Sequence, residues 1–426
     1  MTDAAAVEAA IAGAHRSSWA GMLAATVRVA QDLDLAEECV QEAYASAMKT
    51  WISVGIPDSP TGWLTTTARR RAIDAIRRDR SLRSRLPLLV DPDDAAGEAA
   101  PGEPADQAAA DLAGAVPDER LRLIFTCCHP ALAQEAQVAL TLRLVCGIPA
   151  PDIARAFLVS EPAMAARITR AKKKISAARI PYRVPGPAEL PDRLRGVLAV
   201  IHLLFTAGHT APSGASLVRG DLVDQAVRLA GLLAALLPGE AEVRGLQALL
   251  LVTDARRATR VDAGGRLVRL KDQDRSRWDR AALSQAHDLI VGCLRAGPPG
   301  RYVLQAAIAS LYADAPSYDE TDWPQILTLY GRLAQVWPSP VVDLNRVVPL
   351  AMVAGPQTAL GEIERLERDG RLTGYQYLPA IKADLLGRLG RADDAAAACR
   401  QAFALAVNEA ERAFLAGQIA GHTGPG

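Results

Sequence analysis

Two stretches of the chain place cationic side chains at helical spacing, the arrangement that lets one helix face touch a polyanion. The first begins Pro60-Thr61-Gly62-Trp63-Leu64, and in it Leu64, Ala68, Ala72 and Ile76 form an apolar stripe. Arg70, Asp74 and Arg78 share another face at i, i+4 spacing, and Arg71 and Arg77 widen the positive surface. Such a face suits phosphate contact, each charge adding to a salt-dependent affinity; it equally suits a solvated helix with internal ion pairs. The second stretch starts Ala150-Pro151-Asp152-Ile153-Ala154-Arg155-Ala156-Phe157, a short helix with Pro in its first turn. Leu158-Val159-Ser160 makes the turn and Glu161 opens a second helix, whose apolar stripe is Met164, Ile168, Ala171 and Ile175. Arg167, Arg170 and Lys174 follow a similar spacing on another face. Short helix, tight turn and cationic second helix describe a helix-turn-helix that enters a major groove. An ordinary helical hairpin with a solvated basic face has the same pattern.

The elements around these stretches are expected to be helical as well. The 426 residues suggest about three domains at roughly 150 residues each, and only 19 are aromatic (Phe 5, Trp 6, Tyr 8) among abundant Ala, Leu and Arg. Small and straight-chain residues favour helices, so the expected fold class is all-α. Lys and Arg number 48 against 48 Asp and Glu, a net charge of zero that argues against a protein coating nucleic acid over its whole surface. In windows the balance breaks down. Residues 69–85 hold eight arginines against Asp74 and Asp79; residues 86–119 hold nine acids and no Lys or Arg; residues 163–187 hold seven cations and no acid. Two basic modules flank an acidic segment whose Ala, Gly and Pro content reads as a linker. Upstream, the stretch Asp34-Leu35-Ala36-Glu37-Glu38-Cys39-Val40-Gln41-Glu42-Ala43-Tyr44 turns Leu35, Cys39 and Ala43 inward and leaves Glu37, Glu38, Gln41 and Glu42 outward.

Past Pro187 the breaks at Pro238-Gly239, Gly355-Pro356 and Gly390 bound segments of helix length, which argues for stacked helical hairpins. The clearest unit has Leu389-Gly390-Arg391, then Ala395, Cys399, Ala402 and Leu405; the match to tetratricopeptide repeats is partial. Charged residues mixed with Trp, namely Asp272, Asp274, Arg275 and Trp278, then Asp322 and Trp323, then Asn345 and Arg346, are candidates for a concave partner or ligand surface. Helix capping, with Asp274 as an N-cap, and structural Arg–Asp pairs explain the same residues. Cys127-Cys128-His129 invites a metal, but adjacent cysteines rarely point at one ion and no second ligand pair follows, so a packed helix end is expected and no metal site. P-loop, H-E-x-x-H, G-x-S-x-G and paired-carboxylate patterns are missing, which points away from an enzyme and from any cofactor. The amino terminus does not read as a secretory signal and no apolar run reaches membrane-spanning length, so a cytoplasmic location and no membrane partner are expected.

Residues 34–44 followed by 60–78 resemble region two of the bacterial sigma-70 family, and residues 152–175 resemble region four. Their order, with an acidic linker and no intermediate region, is similar to extracytoplasmic-function sigma factors. Pro117-Asp118-Glu119-Arg120-Leu121-Arg122-Leu123-Ile124-Phe125-Thr126-Cys127-Cys128-His129-Pro130 and the helical tail resemble the group with a tetratricopeptide-like extension. The resemblance implies core RNA polymerase as partner, through its β′ clamp helices and β flap, with Asp34, Glu37, Glu38, Gln41 and Glu42 as contacts. It implies promoter DNA as the second partner. Trp63, Arg69, Arg70, Arg71, Asp74, Arg77 and Arg78 fall in the part that melts and reads the minus-ten element, where many relatives carry Asn in place of Arg70. Glu161, Ala163, Met164, Arg167 and Arg170 match the minus-thirty-five recognition helix, with Arg167 suited to a guanine edge, Met164 packing inward and Lys174 beside the DNA.

The resemblance divides the chain into a region-two domain at 1–85, a linker at 86–116, a region-four domain at 117–185 and an extension at 186–426. It implies a factor that directs promoter-specific initiation without catalysis, regulated through the extension by a ligand or by a small YCII-like protein. The acidic linker either threads the polymerase interior or folds back to mask the arginine helix. A helix-turn-helix regulator that senses a partner through the extension and never engages polymerase is the alternative; a helical scaffold with incidental basic faces is a third.

Overall fold

The computed structural model describes residues 3–85, 119–157, 159–211, 214 and 216–423. Among them the protein is all-α, with only two isolated β-bridges. The acidic linker, with the alternatives of threading and masking, lies outside the described residues. The chain forms two compact units, residues 1–200 and 201–426.

The first unit opens with α1 (Ala4–Ala30), α2 (Leu33–Val54) and α3 (Pro60–Arg85), which pack mutually. Each start follows from local chemistry. Asp3 caps α1 by accepting from the Ala5 amide at 3.2 Å, and Asp32 caps α2 by accepting from Leu35 N at 2.8 Å. The core carries the anticipated stripes: Ala36, Cys39, Val40 and Ala43 of α2 and Leu64, Ala68 and Ala72 of α3 are buried, while Leu35 and Ile76 are only half-buried. Then come α4 (Glu119–Cys127), α5 (Gln134–Leu140) running into a π-helical turn at Thr141–Val145, α6 (Ala150–Ala156) and α7 (Glu161–Ala177). The turn into α7 is fixed by Ser160, whose hydroxyl accepts from Ala163 N at 3.4 Å. α1 also packs on α4 and on the π-helical turn. Gly147, at φ +71°, lies so close to Trp19 that a Cβ would stand 2.9 Å from the indole Cδ1, and no side chain fits there.

α8 (Leu190–His209) carries the chain past the division between the units. In the second unit α9 (Gly220–Leu236), α10 (Ala241–Asp254), α11 (Arg280–Ala296), α12 (Arg301–Asp314), α13 (Trp323–Val336), α14 (Pro340–Ala354), α15 (Pro356–Asp369), α16 (Tyr377–Arg388), α17 (Ala392–Leu405) and α18 (Glu409–Thr423) follow, each packed chiefly on its near neighbours in sequence. That is the serial packing of stacked hairpins. The anticipated breaks are real turns: Gly355 and Gly390, both at positive φ, join α14 to α15 and α16 to α17. Successive apolar clusters run along the stack, one around Trp323 and Ile326, the next around Leu344, Ile363 and Leu385, the next around Leu386 and Cys399.

Candidate nucleic-acid interface

Burying Leu64, Ala68 and Ala72 turns the cationic side of α3 out of the core. Arg70, Arg77 and Arg78 are exposed, and Arg69 and Arg71 are half-buried. Arg71 is held: it donates to Glu42 Oε2 at 2.5 Å and to Ser46 Oγ at 2.6 Å. Glu42, expected to face the polymerase, and Arg71, expected to face DNA, are therefore each other's partners across the α2–α3 seam. Trp63 stands half-buried with its ring edge-on to the buried Trp51 at 5.5 Å between centroids. Arg70 follows Trp63 by seven residues, two turns further along α3.

The same division of faces builds α7. Met164, Ile168, Ala171 and Ile175 are all buried, which leaves Glu161, Ala163, Arg170 and Lys174 exposed and Arg167 partly so. Among the described residues none forms an ion pair with Arg70, Arg77, Arg167 or Arg170. Guanidinium groups that pair with none of the described residues have the donors that phosphate oxygens and base edges accept from.

On α2, Asp34, Glu38, Gln41 and Glu42 are exposed, but Glu37 is a correction. It was expected outward and is 6% exposed. The α2 stripe is wider than the i, i+4 pattern implies, because α7 and the π-helical turn cover its edge and bring Lys172 and Arg143 onto the Glu37 carboxylate. Sequence spacing gave no sign of Lys172, the first of three consecutive lysines, since helical rotation alone does not say which of the three turns inward.

Cys127-Cys128-His129 forms a packed helix end. Both cysteines are buried; burial pushes the Cys127 thiol well up and the Cys128 thiol up to about 11. His129 Nδ1 accepts from the Ala131 amide at 3.2 Å.

In the second unit the candidate surface residues have mostly local work. Asp274 accepts from Ser276 N at 3.0 Å, and Asp322 caps α13 by accepting from Gln325 N at 2.9 Å. Trp278 is buried and donates to Thr259 Oγ1 at 2.9 Å; Arg275 lies over its ring and donates to the carbonyls of Tyr312 and Ala315. Trp323 is buried against Tyr312 and Tyr318. Asp272 accepts from Arg269 at 2.8 Å. The two tryptophans are thus corrected from surface to interior, where their large apolar area is needed for packing. Asn345 is exposed and Arg346 half-buried. Sequence reasoning missed a cavity of about 350 Å³ lined by Tyr318, Gln376, Tyr377, Asp384, Arg388 and Glu411, among others. Glu411, deep in the wall, accepts from Gln376 at 2.7 Å and Tyr377 at 2.6 Å. Gln376, Tyr377, Asp384 and Arg388 come from the start and body of α16, Glu411 from α18 and Tyr318 from the segment before α13, and no sequence motif joins them.

No helix of the described residues is long and apolar enough to cross a membrane. Residues 22–82 match the model for Sigma-70 region 2, residues 122–175 that for Sigma-70, region 4, and residues 193–293 that for a Family of unknown function (DUF6596). An uncharacterized protein of Rhizobium meliloti (strain 1021) is 42% identical over 423 residues, covering 98% of this chain and 96% of its own. No solved structure matches the chain. The two arginine-bearing helices, each inside a sigma-70 region and in the order of regions two and four, together with the helical tail, place the chain in the sigma-70 family as an extracytoplasmic-function-like sigma factor with a carboxy-terminal extension.

Proposed function

We propose that this sigma factor binds core RNA polymerase through the acidic face of α2 and directs initiation by reading two promoter elements, one with α3 and one with α7. The observation that carries this is the pair of guanidinium faces, exposed Arg70, Arg77 and Arg78 on one helix and exposed Arg170 with partly exposed Arg167 on another, each opposite a packed apolar stripe. The factor contributes binding energy and positions the polymerase; the bond-forming chemistry belongs to its partner. Trp63 and the arginines around it suit the single-stranded downstream element, where stacking and phosphate contact work together. Arg167 suits a guanine edge in the duplex upstream element, and Arg170 and Lys174 suit the flanking phosphates.

The extension is proposed to regulate this activity by binding a ligand or partner, a role supported by the cavity around Tyr377 and Glu411. Run-off transcription with purified core polymerase tests both parts. Promoter-specific product is expected from the full chain; DNA binding without product would favour a regulator that never engages polymerase. Full transcription from a chain ending near Pro187 would remove the extension from the mechanism.

A further inference from the structure

The cavity of about 350 Å³ in the second unit has mostly apolar walls, among them Val348, Ile381, Leu415 and the rings of Tyr318 and Phe414. Glu411 interrupts them, only 8% exposed, in the first turn of α18. Its Oε2 accepts from Gln376 Nε2 at 2.7 Å and its Oε1 from the Tyr377 hydroxyl at 2.6 Å, both neutral donors. Burial and Glu411 together hold the Tyr377 phenol above its usual range, which keeps it a donor. No Lys or Arg among the described residues forms an ion pair with this carboxylate. Arg260, itself buried, feels the Glu411 charge, but its guanidinium is spent on the His209 carbonyl and the Thr210 hydroxyl. Asn408 fixes the start of α18: fully buried, it accepts from the amides of Ala410 at 2.9 Å and Glu411 at 3.3 Å and donates to the carbonyls of Ala211 and Ser216.

We propose that this cavity binds a small primary or secondary amine carried on an apolar body, with the ammonium donating to the Glu411 carboxylate. The site stands on the cavity and its buried charge; any effect on transcription rests on the proposed function of the extension. The volume falls in the lower part of the range of ~300–1,000 Å³ typical of ligand pockets. A carboxylate shielded from water and held only by neutral hydrogen bonds gains most from a cation, because the pair forms where solvent screens it least. Gln376 and Tyr377 take one acceptor position on each oxygen, and a carboxylate has about four. N–H donors on the ligand can use the rest, which makes a quaternary ammonium the poorer fit. The rings of Tyr318 and Phe414 favour a cation further, and the aliphatic wall takes the apolar body. The other charges on the wall do not reverse this preference. Lys271, Asp384 and Arg388 are exposed and solvated, and Arg269 donates to Asp272 at 2.8 Å. Asn408, Gln376 and Tyr377 hold the carboxylate in place before a ligand arrives, so binding has little side-chain ordering left to supply.

The test uses the full chain with phenethylamine, tryptamine, hexylamine and cyclohexylmethylamine, each matched with the alcohol, the carboxylate and the trimethylammonium of the same skeleton. Calorimetric titration reads affinity, and a raised Tm reports binding to the folded state. At least one amine is expected to bind ten-fold or more tightly than its matched compounds, and Glu411→Gln is expected to weaken it at least ten-fold. Amines that fail to bind, or that bind no better than their alcohols or carboxylates, overturn the site. So does amine binding that is unchanged in a folded Glu411→Gln protein. Should that variant fail to fold, Ala380→Trp decides: it fills the cavity and leaves Glu411 in place, and amine binding that survives it overturns the site. A lysine blocked at both ends that binds more tightly than every free amine assigns the cavity to the side chain of a protein partner and overturns the small ligand. Run-off transcription with the tightest amine separates the site from its regulatory role: product unchanged at saturating amine leaves the site standing and overturns regulation through it instead.

Discussion

Arginine does opposite things in the two units. On α3 and α7 of the first unit, Arg70, Arg77, Arg167 and Arg170 face away from a packed stripe and pair with none of the described residues. In the second unit several guanidinium groups are turned into the structure instead. Arg257 bridges Asp254 at 2.6 Å and Asp224 at 2.7 Å, Arg260 donates to the His209 carbonyl and to Thr210, and Arg412 donates to the carbonyls of Phe403 and Ala406. Such arginines satisfy carbonyls and carboxylates that helix ends would otherwise leave unpaired. One residue type thus stands out from two helix faces in one unit and serves as structural glue in the other, and the difference lies in what the opposite side of each helix buries.

The comparison breaks most visibly if the second unit's aromatic and charged residues are a binding surface after all. Trp278→Ala should destabilise the protein by about 3–5 kcal/mol in denaturant unfolding, the range for truncating a buried Trp; a change within about 0.5 kcal/mol would return Trp278 to the surface. The buried basic surroundings also predict a pH response. Burial and Arg301 hold the His202 imidazole down to about 4, and burial with Arg260 and Arg256 holds His209 down to about 2. Both are neutral when folded and take up protons on unfolding, so their stabilisation is complete above pH 6.5 and declines as pH falls below it. Between pH 7 and pH 5 each should cost about 2 kcal/mol of stability, read as a falling Tm; a flat profile would contradict their burial.

In the first unit the effects fall on DNA. Arg167→Ala should weaken binding to the upstream element by about 1–3 kcal/mol and relax preference at one base pair, whereas Arg170→Ala should weaken all sequences alike and reduce the salt slope by about one. A uniform loss for Arg167→Ala in competition binding would demote it to phosphate contact. The smallest effect is local: Ser160→Ala removes the cap of α7 and should cost about 1 kcal/mol of stability, with sequence preference intact. Altered preference would mean that the hydroxyl itself reads DNA.

Much of this was legible in the sequence because helix periodicity reports which side chains share a face. Leu64, Ala68 and Ala72 on α3 and Met164, Ile168, Ala171 and Ile175 on α7 are the core their spacing implied, and the glycines at 355 and 390 turn the chain where expected. Periodicity does not report what lies across a face. Glu37 read as solvent-facing because its partners, Lys172 and Arg143, are more than 100 residues away and come from other helices. Trp278 and Trp323 read as surface residues because charged neighbours surround them in sequence, yet Asp274 and Asp322 are charged in order to cap helices. The cavity at Glu411 was invisible for the same reason, its walls combining α16 and α18 with the segments around Arg269 and Tyr318 that lie far from them in the chain.

Photocrosslinking in the transcribing complex tests the central claim most directly, with a reactive side chain placed at position 70 or at position 167 of the full chain bound to core polymerase and promoter DNA. Position 70 should crosslink to the downstream element alone and position 167 to the upstream element alone. Crosslinks from both positions to one element, or from neither to DNA, would contradict the assignment of the two arginine faces to two promoter elements.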